Sequence, residues 1–417
     1  MRQKIAVIGG GMAGLTAAYL LREKYEITLF EKTDRLGGNA HTFTTREGVS
    51  FDIAAAVFGK NSYPNFFKLL KQLNVKTCRL SGGGIGWRNL DSGEYDHFAP
   101  TWRGLLAQRF ASIYPWIVYR NLASFLIVTE GKRRFKQGKL KGLSMKEAFA
   151  RLPAFPGDSM FLHMFVLCLV SSMYYEDVMQ GPAEFFFGKM TTHRDFFVNF
   201  LFGLFQAEEN TISYVNALAD HFRDRVKLNA RIKSVARKEN QVILKMEDGS
   251  EARFDQVVFA CNADQALKLL EQPTEQERRL LGAWRYNDGP IVVHRDRSCF
   301  PPGEFYNLFT FLYTRREGKV HTSVNGHVRN LKTVPDDCPI ISSQHPNFPI
   351  REELTEFKKI FRTPIYDRRS FAAIPELPSL NGILNTYYCG SHFGYGLHED
   401  CVNSALAVAR KLGVEWA

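Results

Sequence analysis

The stretch Lys4-Ile-Ala-Val-Ile-Gly-Gly-Gly-Met-Ala-Gly-Leu-Thr-Ala-Ala-Tyr-Leu20 decides the fold of this chain. Ile5 to Ile8 form a short apolar run of the kind that makes a strand buried on both faces of a parallel sheet. A glycine-rich turn follows, and Leu15 to Leu21 predicts a helix rich in Ala and Leu. The order strand, turn, helix is that of a nucleotide-binding βαβ unit.

Three glycines in the turn give the pattern G-x-G-x-x-G. Gly9 permits the tight turn, Gly11 lets the backbone approach a pyrophosphate, and Gly14 lets the helix pack closely on the strand. Met12 and Ala13 lie between Gly11 and Gly14, and the free N–H groups and positive dipole end of the helix that follows attract phosphate. We therefore expect these five residues to contact a dinucleotide.

A second strand, Glu26 to Phe30, ends at Glu31, about twenty residues beyond the first glycine. A carboxylate at this position accepts hydrogen bonds from an adenosine ribose, and Lys32 follows it directly. The alternative is an ordinary glycine-rich turn with a surface glutamate. The context favours a bound dinucleotide.

The next segment, Glu31-Lys-Thr-Asp-Arg-Leu-Gly-Gly-Asn39, resembles the flavin-dependent amine oxidase and phytoene desaturase superfamily. The resemblance implies FAD rather than NAD, with Arg35, Gly37, Gly38 and Asn39 at the pyrophosphate. Phe51 to Ala56 resembles the D-x-G element of that family beside the flavin, and implies contacts from Ala55 and Ala56. The chain departs from the pattern there, because alanine stands where glycine is usual.

Two later segments continue the resemblance. Arg225 to Val235 is similar to the element whose backbone meets the adenine, here near Ile232. Asp255 to Cys261 predicts a buried parallel strand, and a helix begins at Asn262. The resemblance implies that Cys261 and Asn262 lie beside the cofactor.

The C-terminal motif begins with a predicted strand, Asn385 to Gly390, and ends with a predicted helix, Cys401 to Leu412. Between them, the string G-S-x-F-G-Y-G-x-H-E-D is similar to a bacterial branch of predicted NAD/FAD-binding oxidoreductases. The positive end of such a helix stabilises an anionic reduced flavin. The resemblance places two residues at the pyrophosphate and ribityl chain and three at the flavin edge: Gly390 and Ser391, then Gly396, Leu397 and His398.

These motifs predict an α/β protein with a Rossmann-like, GR2-type FAD-binding domain of the amine oxidase kind and an inserted α+β substrate domain. The cofactor domain is expected over residues 1–80, 211–285 and 380–417, and the substrate domain over 81–210 and 286–379. The chain has 417 residues, enough for two domains.

Candidates for a general acid or base cluster in the C-terminal motif: His392, Tyr395, His398 and Glu399. Alternatively, they cap the helix and hydrogen-bond the cofactor, and the flavin acts without a protein base.

Many amine oxidases of the superfamily carry a lysine in the substrate-domain sheet, but the corresponding strand offers Val292, Val293 and His294. That difference disfavours amine oxidation. Cys389 does not match the position of a covalent flavin link, so we expect non-covalent FAD.

The net charge of +11 is unevenly distributed. An apolar and aromatic run from Ile113 to Val128 precedes a basic cluster that ends at Lys141. This order is typical of a segment at an anionic membrane surface, but a helical cap followed by a solvated basic loop fits equally. No recognised nucleic-acid motif accompanies the charge, so we expect no nucleic-acid partner.

The seven cysteines are dispersed, which indicates reduced thiols in the cytoplasm and no structural metal. The first strand begins at once, so we expect no targeting peptide. The apolar runs Ser159 to Tyr175 and Phe196 to Phe205 predict buried segments that line an apolar substrate tunnel, although they also fit an ordinary hydrophobic core.

The sequence therefore predicts an FAD-dependent oxidoreductase that passes hydride from a C–H of a fatty-acyl or isoprenoid-like substrate to flavin N5, as a desaturase, dehydrogenase or isomerase. The electron acceptor is left open between oxygen, a quinone and none. The alternatives are a flavin amine oxidase and a non-catalytic lipid-binding protein similar to GDP dissociation inhibitors.

Overall fold

A computed structural model describes residues 2–80, 84–93, 95–98, 126, 129–152, 178–192, 204–239, 241–300, 307–317, 319–328, 331, 334–335 and 338–416. The predictions for Ser159 to Tyr175 lie outside these residues. So do those for most of Ile113 to Val128 and of Phe196 to Phe205.

The strands of the described residues, in chain order, are β1 (Lys4–Ile8), β2 (Glu26–Phe30), β3 (His41–Thr44), β4 (Ser50–Ala54), β5 (Phe58–Gly59), β6 (Thr77–Arg79), β7 (Gly84–Asn89), β8 (Tyr95–Phe98), β9 (Leu204–Ala207), β10 (Val226–Lys227), β11 (Ile232–Lys238), β12 (Gln241–Met246), β13 (Glu251–Phe254), β14 (Gln256–Phe259), β15 (Arg285–His294), β16 (Asn307–Arg316), β17 (Lys319–His327), β18 (Ile341–Gln344), β19 (Thr355–Ile365) and β20 (Thr386–Tyr388). The α-helices are α1 (Met12–Leu21), α2 (Pro64–Gln72), α3 (Met145–Ala150), α4 (Ala183–Thr192), α5 (Asn210–Asp220), α6 (Ala263–Leu269), α7 (Glu275–Leu281), α8 (Arg368–Ala373) and α9 (His398–Lys411).

A five-stranded parallel sheet forms the centre of the cofactor-binding part, in the order β10-β2-β1-β14-β20. Val7 in β1 pairs with Leu29 on one side and Val258 on the other. The predicted buried strand is confirmed, because Ile5, Ala6 and Val7 are fully buried. The carboxyl ends of these strands lie together, which is where parallel α/β sheets bind ligands.

Both faces of this sheet are covered. One face packs against α1 and α9, which also pack on each other. The other face packs against the antiparallel β11-β12-β13 sheet, with Leu244 and Phe254 in the same cluster as Phe259. Full burial of a Leu or Phe side chain stabilises the folded state by about 1.5–3 kcal/mol. Alternating side chains of β1 therefore stabilise two separate cores.

The predicted helix boundaries are wrong by three residues at two N-termini. The first helix begins at Met12 rather than Leu15, and the last begins at His398 rather than Cys401 and ends at Lys411. In both cases the preceding residue has an extended backbone, with ψ of −178° at Gly11 and 166° at Leu397. The chain therefore turns directly from the cavity into each helix, and the apolar pattern begins only one turn later.

A seven-stranded sheet forms the second part, in the order β19-β15-β18-β17-β16-β7-β8. In β17, Ser323, Val324 and Asn325 are all buried, so side chains on both faces of this strand lie inside the protein. The Asn325 amide donates to the Thr310 carbonyl, and its oxygen accepts from the Ser343 hydroxyl at 2.5 Å. Internal hydrogen bonds thus let a polar face lie inside the protein.

Ile341–Gln344 form β18, which pairs with β15 on one side and β17 on the other. β12 and β13 form a hairpin whose turn contains Asp248 and Gly249, with Gly249 at φ 86°. A further small sheet joins β9 to β5 and β6. It links the segment before 211 to the first 80 residues, and the division into domains at those positions stays a prediction.

Candidate functional site

One elongated cavity of about 1050 Å³ runs along the carboxyl ends of the parallel strands and under the seven-stranded sheet. It is lined by residues of the first turn, of the segment after β2 and of the segment between β20 and α9. The structure brings the predicted cofactor residues together around it: Gly9, Gly11, Met12, Ala13, Glu31, Lys32, Arg35, Gly37, Gly38, Asn39, Ala55, Ala56, Ile232, Cys261, Asn262, Gly390, Ser391, Gly396, Leu397 and His398. Gly14, the remaining predicted cofactor residue, is not among the residues that line the cavity.

The glycines of the first turn occupy three different environments. Gly9 has φ 115°, and a Cβ there would lie 2.8 Å from the Ala260 carbonyl oxygen. A Cβ on Gly14 would lie 1.9 Å from the Gly9 carbonyl oxygen. A Cβ on Gly11 would meet nothing closer than the Gly38 Cα at 3.9 Å, so its backbone is open to the cavity. Gly9 and Gly14 therefore lie against backbone, whereas Gly11 faces open space in the cavity.

The Glu31 carboxylate is fixed at the end of β2. One oxygen accepts from the Gly10 amide at 2.7 Å, and the other accepts from the amide and hydroxyl of Thr33 at 2.9 and 2.8 Å. A carboxylate has about four lone-pair sites, so these three bonds leave capacity for a ligand hydroxyl. Glu31 lines the cavity.

The Gly37–Gly38 turn is held by Arg35. Its guanidinium donates to the carbonyls of Leu36 and Ala40 at 3.1 Å and to that of Gly38. The Gly37 amide donates to the Gly10 carbonyl at 2.8 Å, which ties this turn to the first one. Arg35 therefore shapes the turn as well as placing a positive charge on the cavity wall.

The segment after β4 contains the departure from the family pattern. Ala55 has φ 56°, a left-handed conformation that favours glycine. Asp52 in β4 accepts from the Thr211 amide and hydroxyl at 2.9 and 2.8 Å and from the Thr42 hydroxyl. Burial raises the pKa of Asp52 to about 6, although these hydrogen bonds oppose the increase. Asp52 thus anchors the start of α5 beside the cavity.

Two of the four acid–base candidates line the cavity. His392 is buried, and its Nε2 has no hydrogen-bond partner among the described residues. Nε2 of His398 lies 3.1 Å from the Tyr214 hydroxyl. Burial lowers the pKa of His392 to about 3 and that of His398 to about 4. Both imidazoles are therefore neutral near pH 7.

The other two candidates are not part of the cavity wall. Glu399 accepts from the amides of Asn65 and Phe66 at 3.1 and 2.9 Å, so it binds the first turn of α2 to α9. The Tyr395 ring packs on Phe185 with centroids 5.7 Å apart. The geometry of these two residues is that of structural anchors.

The predicted strand Val292 to His294 presents no lysine to the cavity. On β15, Gly289 and Ile291 line it. His294 lies on the opposite face, where its Nε2 is 2.7 Å from the Ser343 hydroxyl.

Sequence reasoning missed Lys189 in α4, which is 3% exposed and lines the cavity. The sequence does single out Lys189, because it is the one basic residue in the aromatic segment Ala183 to Met190. Among the described residues, no cluster of His, Cys, Asp and Glu has the arrangement of a metal site.

Residues 12–300 match the family model described as flavin containing amine oxidoreductase. This match spans more than half of the chain and includes helix α1, Glu31 and the strand β14. The chain belongs to the flavin-containing amine oxidoreductase family.

Relatives within and around this family have several activities. The chain is 54% identical over 50 residues to the 4,4'-diapolycopen-4-al dehydrogenase of Metabacillus indicus, covering 12% of the chain and 10% of that protein. It is 37% identical over 73 residues to the zeta-carotene desaturase of Zea mays, covering 17% and 13%. It is 23% identical over 323 residues to the probable polyamine oxidase 4 of Arabidopsis thaliana, covering 74% and 61%. The chain thus spans less than two thirds of each of these relatives.

Solved structures share the fold of this chain over nearly its whole length. A putrescine oxidase variant matches with TM-score 0.70 at 13% identity, covering 99% of this chain and 98% of that one. The fatty acid isomerase of P. acnes that produces CLA matches with TM-score 0.70 at 17% identity, covering 98% of both chains. At these identities the likeness establishes the amine oxidase fold.

Proposed function

We propose that this flavin-dependent oxidoreductase binds FAD non-covalently and takes hydride from a C–H of a fatty-acyl or isoprenoid-like chain, as a desaturase, dehydrogenase or isomerase. The observation that carries the proposal is the apolar wall of the cavity. Phe309 and Phe311 of β16, Val324 of β17 and Ile291 of β15 face it from the seven-stranded sheet. A wall of this kind binds a hydrophobic substrate by removing apolar surface from water.

The residues present fit FAD. The open backbone at Gly11 and the N-terminus of α1 suit a pyrophosphate, because no side chain caps that helix. Glu31 retains acceptor capacity for a ribose, and His392 Nε2 is a buried polar atom without a described partner. A flavin bound here supplies a hydride acceptor at N5.

Two thiols on the wall are poorly suited to a covalent link. Burial raises the pKa of Cys261 to about 12 and also raises that of Cys401. The nucleophile is the thiolate, so protonated thiols react slowly. Cys389 is fully buried, and its sulfur lies 4.0 Å from the Ala13 carbonyl oxygen. These properties support non-covalent binding.

Amine oxidation is the second candidate, because the match to a probable polyamine oxidase covers 74% of the chain. The cavity face of β15 argues against it, since Gly289 and Ile291 stand there rather than a lysine. The carotenoid and fatty-acid activities in the names of other relatives support the hydrophobic substrate.

The absorption spectrum of the purified protein tests the cofactor. We expect a yellow protein whose flavin is released intact as FAD by acid denaturation. Flavin that remains attached to the protein after denaturation would contradict non-covalent binding. A colourless protein that cannot be loaded with FAD, but binds prenylated peptides, would support the alternative of a lipid-binding protein similar to GDP dissociation inhibitors. Reoxidation rates with oxygen and with a soluble quinone would then identify the acceptor.

We further propose that the protein is cytoplasmic and that residues 113–141 contact an anionic membrane. In the described part, Lys136, Lys139 and Lys141 are exposed. Arg133 and Arg134 both donate to Glu130 at 2.7 Å. Among the described residues, no helix is both long and apolar enough to cross a bilayer.

Vesicle sedimentation tests this contact. We expect co-sedimentation with vesicles rich in phosphatidylserine and release by salt, since screening weakens the attraction. Replacement of Lys136, Lys139 and Lys141 by Gln should weaken the binding. Equal binding by the wild type and this variant would contradict the proposal.

A further inference from the structure

A buried lysine, Lys189, and a partly buried carboxylate, Asp400, lie beside the loop that connects β20 to α9. Lys189 lines the same cavity as Gly396, Leu397 and His398, and is 3% exposed. Asp400 stands in the first turn of α9. One oxygen of Asp400 accepts from the amides of Tyr395 and Leu397 at 3.0 and 2.8 Å, which holds the carboxylate under this loop.

Helix α4 is fixed against the loop by close packing. A Cβ on Gly188 would lie 2.5 Å from the Tyr395 hydroxyl oxygen. Phe185 packs on Tyr366 with ring centroids 4.2 Å apart, and the Tyr366 hydroxyl donates to the Gly394 carbonyl at 2.9 Å. The position of Lys189 is therefore set by the same contacts that shape the loop.

The two charges influence each other. Burial lowers the pKa of Lys189 to about 8, and Asp400 opposes that change. Burial raises the pKa of Asp400 to about 7, and Lys189 opposes it in turn. Each group thus favours the charged form of the other, as expected for opposite charges in a medium of low dielectric constant.

We propose that Lys189 is the cation that stabilises the negative charge at the N1–C2=O edge of the flavin upon reduction, and that Asp400 moderates its effect. This inference rests on the proposed position of FAD, with the ring beside Gly396 to His398. A hydride brings two electrons and one proton, so the ring gains one negative charge. The dipole of α9 favours that charge, but Asp400 in its first turn offsets the dipole. Lys189 restores a positive field there.

Sulfite titration of the FAD-loaded protein tests the proposal, because sulfite adds at flavin N5 and leaves a negative charge at the same edge. We expect Lys189→Met to raise the sulfite dissociation constant at least tenfold. Asp400→Asn should lower the sulfite dissociation constant, because it removes the negative charge that opposes Lys189. The amide oxygen of the new side chain can still accept both backbone hydrogen bonds, so the loop is preserved. Lys359→Met is the matched control, since this cavity lysine interacts with Arg35, Asp34 and Glu31 rather than with Asp400.

Opposite shifts in the two variants, with no shift in the control, would support the proposal. If Lys189→Met binds FAD but has the sulfite affinity of the wild type, the inference is wrong and the proposed cofactor site stands. A loss that Lys359→Met reproduces would also overturn it, because the effect would then come from net charge. A wild-type protein that binds no flavin would overturn the proposed function itself.

Discussion

A Cβ atom on Gly14 would lie 1.9 Å from the carbonyl oxygen of Gly9. Helix α1 therefore packs directly on the backbone of the turn that leads into it. Gly11, between them, has open space instead. The same turn thus contains one glycine, Gly14, that close packing requires and another, Gly11, whose backbone faces the cavity.

We predict that Gly14→Ala destabilises the protein by about 1–3 kcal/mol or prevents folding, because the added methyl overpacks the contact. Gly11→Ala should fold with nearly wild-type stability but bind FAD more weakly. Urea unfolding and FAD titration measure the two effects. Equal stability losses in both variants would contradict the division of roles.

Ala55 offers a test of backbone strain, since its φ is 56°. Ala55→Gly should stabilise the protein by about 0.5–1 kcal/mol, because relief of the left-handed strain exceeds the entropy cost of glycine. Ala56→Gly is the control and should destabilise it by a similar amount. The free energies of unfolding in urea decide between these signs, and a loss of stability in Ala55→Gly would refute the prediction.

Asp52 should make stability depend on pH. Its pKa is raised from 3.8 to about 6 by burial, so the folded state binds more protons than the unfolded state between these values. Stability from this group is therefore present at low pH and lost as the pH rises from about 4 to about 6, by at most about 3 kcal/mol. Asp52→Asn should lack this component. Parallel pH profiles of the wild type and the variant would contradict it.

Glu399 is predicted to stabilise rather than to catalyse. Glu399→Ala should cost about 1–3 kcal/mol, because the amides of Asn65 and Phe66 lose their acceptor. The flavin spectrum and the rate of flavin reduction by substrate should remain near wild type below the unfolding temperature. A large decrease in that rate with unchanged stability would instead identify Glu399 as the general acid or base.

The parts of the fold that depend on residues close together in the sequence were predictable from the sequence alone. The turn from Gly9 to Gly14 and the acid at Glu31 are local motifs, and the structure places both at the cavity. The burial of Asn325 was not predictable, since its partners Thr310 and Ser343 come from other strands.

Lys189 was missed for a similar reason. Its relation to Asp400 depends on how α4 packs against a loop about two hundred residues later in the chain. Glu399 and Tyr395 lie within a few residues of the cavity residues in sequence, but Glu399 binds the start of α2 and Tyr395 packs on Phe185. Sequence proximity to a motif therefore does not determine which side chains reach the cavity.

Anaerobic incubation of the FAD-loaded protein with candidate substrates tests the central claim most directly, with flavin absorbance and product mass recorded together. We predict that a long-chain fatty-acyl or isoprenoid substrate either bleaches the flavin and loses two hydrogens, or rearranges at constant mass with the flavin oxidised at the end. Simple amines should do neither. Bleaching by amines, with every lipid unchanged, would contradict the account.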